Sequence, residues 1–118
     1  MIEIELIDEV KIDFDIRPVQ NALNDVLTKI GDSTNFSIEF LLVSEDKIQK
    51  LNNQYFHKDY PTDVLSFNYQ ENPELLGSIV VCVEIAQKQA NEANIPLEQE
   101  ITDLTVHGLL HLLDYNHK

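Results

Sequence analysis

Gly77-Ser78-Ile79-Val80-Val81-Cys82-Val83-Glu84 is a continuous apolar run of strand length. Its β-branched content and lack of apolar/polar alternation fit a strand buried on both faces, because a strand with one wet face would alternate. Such a strand needs covering layers above and below, so helices must flank a sheet. Downstream, helices are expected from about Glu84 to Ala93 and from about Leu97 to Leu113. Upstream, Val64 to Tyr69 reads as a strand, preceded by the polar, proline-containing loop His57 to Asp63.

Further towards the start, Ser44 before Glu45 and Asp46 fits the N-cap of a helix reaching about Tyr55, since negative charge is favoured in a first turn. Phe36 to Val43 reads as a strand. Pro18, then Val19, Leu23, Val26, Leu27 and Ile30 at helical spacing, predicts a helix from Arg17 to Ile30 that stops at Gly31. Met1 to Ile7 alternates apolar residues with acids, the period of a strand with one buried face. The order β α β α β β α α predicts an α+β fold: a mixed β-sheet of about four strands with packed helices.

The 118 residues fit one domain, residues 1–118, and the 43% hydrophobic content is that of a globular chain. The first residues show no secretory signal, and no stretch approaches the ~20 apolar residues of a membrane span, so a cytoplasmic protein is expected. Cys82 is the single cysteine and sits in the apolar run, where a buried thiol is expected. Net charge is −13 with one arginine, Arg17, which disfavours a broad phosphate-binding surface. A modest basic area is confined to Lys47, Lys50, His57 and Lys58.

The chemistry concentrates in Val106-His107-Gly108-Leu109-Leu110-His111-Leu112-Leu113-Asp114-Tyr115-Asn116-His117. His107 and His111 are one helical turn apart, so both imidazoles project from one face and can chelate one ion. On an unbroken helix His117 would lie ~15 Å along the axis from His107, so the helix must end first if His117 is to join them. Asp114 to Asn116 is where that ending is expected, since Asp and Asn tolerate the left-handed conformation. Three imidazoles with an open position form a catalytic zinc arrangement in which bound water is the expected nucleophile; no side chain is assigned as the catalytic base. One zinc ion per chain is expected, at the C-terminal end of the last helix. His-x3-His-x5-His is also the metzincin spacing, but Gly108 stands where those proteases carry their general-base Glu, which disfavours a peptidase.

The same run resembles the YbeY family signature His-Gly-x-Leu-His-Leu-x-Gly-Tyr-Asp-His at His107, Gly108, Leu110, His111, Leu112, Tyr115 and His117. Leu51-Asn52 to Tyr55, Lys58-Asp59 and Pro61-Thr62-Asp63-Val64-Leu65-Ser66-Phe67 are similar to its internal motif, and Leu76-Gly77 with Ile79 to Val83 to the strand between. The resemblance implies zinc-dependent cleavage of single-stranded RNA in ribosomal RNA maturation and ribosome quality control. Ribosomal RNA is then the implied substrate, with ribosomal proteins as further candidate partners.

Within the internal motif, His57, Lys58, Thr62, Asp63 and Ser66 are the candidate substrate-binding residues. The local alternative for Thr62 and Asp63 is that they bond backbone groups where the loop becomes strand. Four positions depart from the family pattern: Phe56 replaces an arginine, Ser78 an aspartate, Asp114 a glycine and Asn116 an aspartate. Phe cannot supply the planar charged fork that Arg offers to phosphate. A second function therefore stays open, a non-catalytic or weakly active ribosome-associated RNA-processing partner whose metal is structural.

Overall fold

The computed structural model describes residues 2–32, 35–69 and 75–116. Among the described residues the elements run β1 (Ile2–Asp8), α1 (Arg17–Lys29), β2 (Phe36–Val43), α2 (Glu45–Phe56), β3 (Val64–Asn68), β4 (Leu75–Cys82), α3 (Val83–Ala93) and α4 (Leu97–Asn116). The sheet order is β1-β2-β4-β3, with the first two pairings parallel and β3 antiparallel to β4. This is the α+β fold with a mixed sheet that the sequence predicts. β4 lies inside the sheet, and β3 forms its edge.

The apolar run serves two cores. Ile79 and Val81 of β4 pack into the cluster containing Val19, Leu23 and Leu27 of α1 and Ile101, Leu104 and Leu109 of α4. Val80 and Cys82, on alternate positions, pack with Ile48 of α2 on the opposite face. Period-two geometry sends successive side chains to opposite faces, which is why the segment carries no polar alternation. Each fully buried Leu or Ile contributes ~1.5–3 kcal/mol through removal from water. Burial also pushes the Cys82 thiol above its ordinary range, against weaker opposition from the backbone N–H groups of Ile85 and Glu84.

Local signals set the element ends. Ser44 Oγ accepts the Lys47 N–H at 3.3 Å, capping α2 with Glu45 and Asp46 in its first turn. His57 closes that helix in the left-handed region, φ 57° and ψ 35°, and releases the chain into the loop that follows. Where β2 meets β4 the register skips Leu76, so the strand bulges beside Gly77. The Phe67 carbonyl occupies the space that a Cβ at Gly77 would take.

Two elements, β4 and α4, differ from expectation by two residues or more, and β1, α1 and β3 by one. β4 spans Leu75–Cys82, and α3 begins at Val83, because Cys82 already acts as the helix N-cap residue. α4 continues through Asp114, Tyr115 and Asn116, where the sequence reading ended it. Nothing in those three residues is a proline or glycine, and Leu112 and Leu113 anchor the final turns in the core.

Candidate active site

Because β3 is an edge strand, α4 on one sheet face and α2 on the other both reach it, and the free edge opens into a cleft of about 460 Å3. From α4 come His107, Gly108 and His111; from α2 and its loop come Asn52, Phe56, Lys58, Tyr60 and Thr62; Val64, Leu65 and Ser66 lie between them. The two histidines are exposed, while Ile101, Leu104, Leu109 and Leu112 on the inner side of α4 are buried. Core packing thus fixes the helix that presents the imidazoles.

Gly108 has a structural reason. A Cβ there would stand 2.7 Å from Ile79 Cγ2 and 3.1 Å from Ser66 Oγ, so glycine permits α4 to approach the sheet at this turn. Position 108 therefore points at the sheet, and a carboxylate general base could not be built from it. Ser66 Oγ donates to the Gly108 carbonyl at 3.3 Å, adding a polar tie at the same contact.

Of the expected substrate-binding residues, Lys58, Thr62 and Ser66 line the cleft, and His57 and Asp63 do not. His57 is an exposed helix cap whose N–H donates to the Asn53 carbonyl at 3.1 Å. Asp63 follows the local alternative: its Oδ1 accepts the Val64 N–H at 2.8 Å, and its Oδ2 accepts from Gln89 Nε2 at 3.2 Å. Thr62 Oγ1 reaches the same carboxylate at 3.4 Å.

Asn52, Phe56 and Tyr60 complete the cleft. Asn52 is buried, and its Nδ2 donates to the Tyr60 carbonyl at 2.9 Å, which pins the loop over the end of α2. Asn52 follows Ile48 by four residues, so helical spacing places it on the buried face of α2. The single arginine, Arg17, is elsewhere, at the start of α1, paired with Asp15 at 2.8 Å. Ser78, one of the departures from the family pattern, lies on the α2 face in a separate groove and donates to Glu39 Oε1 at 2.8 Å.

Acidic groups flank the histidines. Burial raises the Glu100 carboxyl above its ordinary range, reinforced by Asp103 and Asp63 and opposed by His107. Among the described residues no set of three His, Cys, Asp or Glu could hold a metal ion. His117, the expected third ligand, lies outside the described residues. The donor chemistry present, two imidazoles from successive turns lining one cleft, fits zinc as two of its ligands.

The profile of a family described as Endoribonuclease YbeY matches residues 4–118. A protein named endoribonuclease YbeY from Syntrophus aciditrophicus is 37% identical over 114 residues, 92% of this chain and 71% of that one. Another of that name, from Nautilia profundicola, is 42% identical over 107 residues, covering 90% of this chain and 72% of its own. A Thermotoga maritima protein with a solution structure superposes with a TM-score of 0.63 at 38% identity, over 95% of this chain and 71% of that one.

Proposed function

Since this chain belongs to the YbeY family, we propose that it is a zinc-dependent endoribonuclease cutting single-stranded RNA, in ribosomal RNA maturation and ribosome quality control. The observation that carries the reading is convergence: residues of two motifs far apart in sequence, Lys58 to Ser66 of the internal one and His107 to His111 of the terminal one, line a single cleft. His107, His111 and His117 would hold the ion. Zinc so held supplies Lewis acidity and a water with its pKa lowered towards ~7.

The chain's own groups orient the substrate. Lys58 offers the cleft a phosphate-pairing charge at the loop. Ser66 fixes the helix through Gly108 and so sets where the imidazoles stand. Asn52 holds Tyr60 and its loop at the cleft wall. A cytoplasmic setting, with ribosomal RNA as substrate and ribosomal proteins as further partners, belongs to the same proposal. No described helix is long and apolar enough to cross a membrane.

A second reading has one observation in its favour: among the described residues, Lys58 is the only lysine or arginine lining the cleft, and Phe56 adds no charge. A non-catalytic RNA-processing partner with a structural metal would need no more. Incubating zinc-loaded protein with unstructured RNA, and separately with a peptide, with and without chelator, decides the matter. Chelator-sensitive RNA cleavage supports the nuclease. RNA binding without cleavage supports the partner, and peptide cleavage alone would remove both.

A further inference from the structure

An acidic protein with one lysine in its cleft has little Coulombic hold on RNA, yet the same cleft carries two exposed aromatic rings. Phe56 is 42% exposed and Tyr60 is 54% exposed, and both line the cleft with His107 and His111. Large apolar rings left in water at a concave site mark a binding surface more often than chance decoration.

The Phe56 ring is held directly, and Tyr60 is held through its backbone. Phe56 stacks on Phe67 with centroids 5.6 Å apart and planes 17° from parallel, so one side of the ring is supported while the rest opens outward. Tyr55 in turn meets Phe67 edge to face at 4.9 Å, which braces Phe67 from the neighbouring position on α2. Tyr60 is fixed through its backbone by the Asn52 side chain. The ordering cost of the Phe56 ring and of the Tyr60 backbone is thereby met before a ligand arrives.

We propose that Phe56 and Tyr60 form a stacking platform for an unpaired base, and that this platform rather than phosphate pairing carries the affinity of the cleft for RNA. The inference rests on the ribonuclease reading and adds its recognition element. Every base has a π face, so the contact tolerates sequence but requires the base to be out of a helix. Double-stranded RNA is excluded by the same requirement, since its bases are stacked on one another. Salt should matter little. One lysine corresponds to a slope of log affinity against log salt of about −0.7, and the net charge of −13 opposes RNA most strongly at low salt.

The test is equilibrium binding of a fluorescent, unstructured adenine-rich RNA 12-mer to the full chain at several salt concentrations, beside the same RNA carrying central abasic sites. Tyr60→Ala and Phe56→Ala should each weaken binding of the intact RNA by roughly tenfold or more, as loss of a stacked base does. Tyr60→Phe should retain it, and the abasic RNA should bind the parent as weakly as the alanine variants bind the intact RNA. Circular dichroism of each variant checks that the fold persists; Tyr60→Phe with the abasic RNA keeps the test decisive if an alanine variant unfolds. Parent binding that is indifferent to abasic sites, or a salt slope steeper than about −2, would overturn the platform while leaving the nuclease reading intact. No RNA binding by the parent at all would overturn both.

Discussion

Ser66 Oγ donates to the carbonyl of Gly108 at 3.3 Å, tying the edge strand to the helix that presents His107 and His111. The tie forms only because Gly108 lacks a side chain, with Ile79 Cγ2 2.7 Å from where a Cβ would lie. Gly108→Ala forces a β-branched residue of a central strand to move, and should destabilise the protein by ~1–3 kcal/mol. Urea melts measure this. Unchanged stability would mean that α4 does not press on the sheet at that turn.

Leu104 is 6% exposed in the core beneath α4. Leu104→Ala should cost ~2–5 kcal/mol, because its cavity cannot be refilled by neighbours on a rigid sheet. Denaturant unfolding with an unaltered m-value is the expected pattern. A cost under about half a kcal/mol would place the residue at the surface.

Glu100 has its carboxyl raised mainly by burial, with Asp103 and Asp63 adding to it. A carboxyl raised in the fold favours the folded state while protonated, below its unfolded pKa, and loses that contribution as pH rises through the folded value. At neutral pH its charge is therefore a cost that Glu100→Gln removes. In the metal-free protein the variant should be more stable than the parent at about pH 7 and equal to it at about pH 3. Thermal melts across that range give the comparison; a variant less stable at neutral pH would show that Glu100 makes a favourable ionic contact.

Much of this fold is written locally. The strand read at Phe36 to Val43 is β2 with the same bounds, and the unalternating run at Ile79 to Cys82 is covered on its two faces by α4 and α2. The pairing of His107 with His111 follows from helix geometry alone. The cleft does not. It exists because β3 turns back antiparallel onto β4 and so becomes an edge that two helices overhang, and that choice depends on strand pairing between distant residues. Asp63 accepts from the Val64 N–H, as its local chemistry allows, and from Gln89, a partner that only the docked fold supplies. Gly108 looked like a missing base; its packing against Ile79 becomes visible only once sheet and helix are docked. α4 outruns its expected end because Asp and Asn permit a helix stop without compelling one.

Phe56 offers a graded test of charge in the cleft. Phe56→Arg adds a guanidinium able to pair with phosphate and, through its planar face, to keep some stacking. Single-turnover RNA cleavage should become faster, by roughly ten- to hundredfold if the new charge-assisted bonds form in the transition state. Its binding should also show a salt slope steeper by about 0.7, one additional phosphate contact. Equal rates and slopes would mean that position 56 does not meet the phosphate chain, leaving Lys58 as the group to vary.

The most direct measurement is single-turnover cleavage of an end-labelled, unstructured RNA by zinc-loaded parent and by His111→Ala under identical conditions, with bound zinc determined on both. His111 lines the cleft one helical turn from His107, so its removal takes away one of two adjacent donors. The account predicts about one zinc per parent chain with internal RNA cleavage, and loss of both in the variant. Cleavage by His111→Ala at the parental rate, with or without zinc, would contradict it.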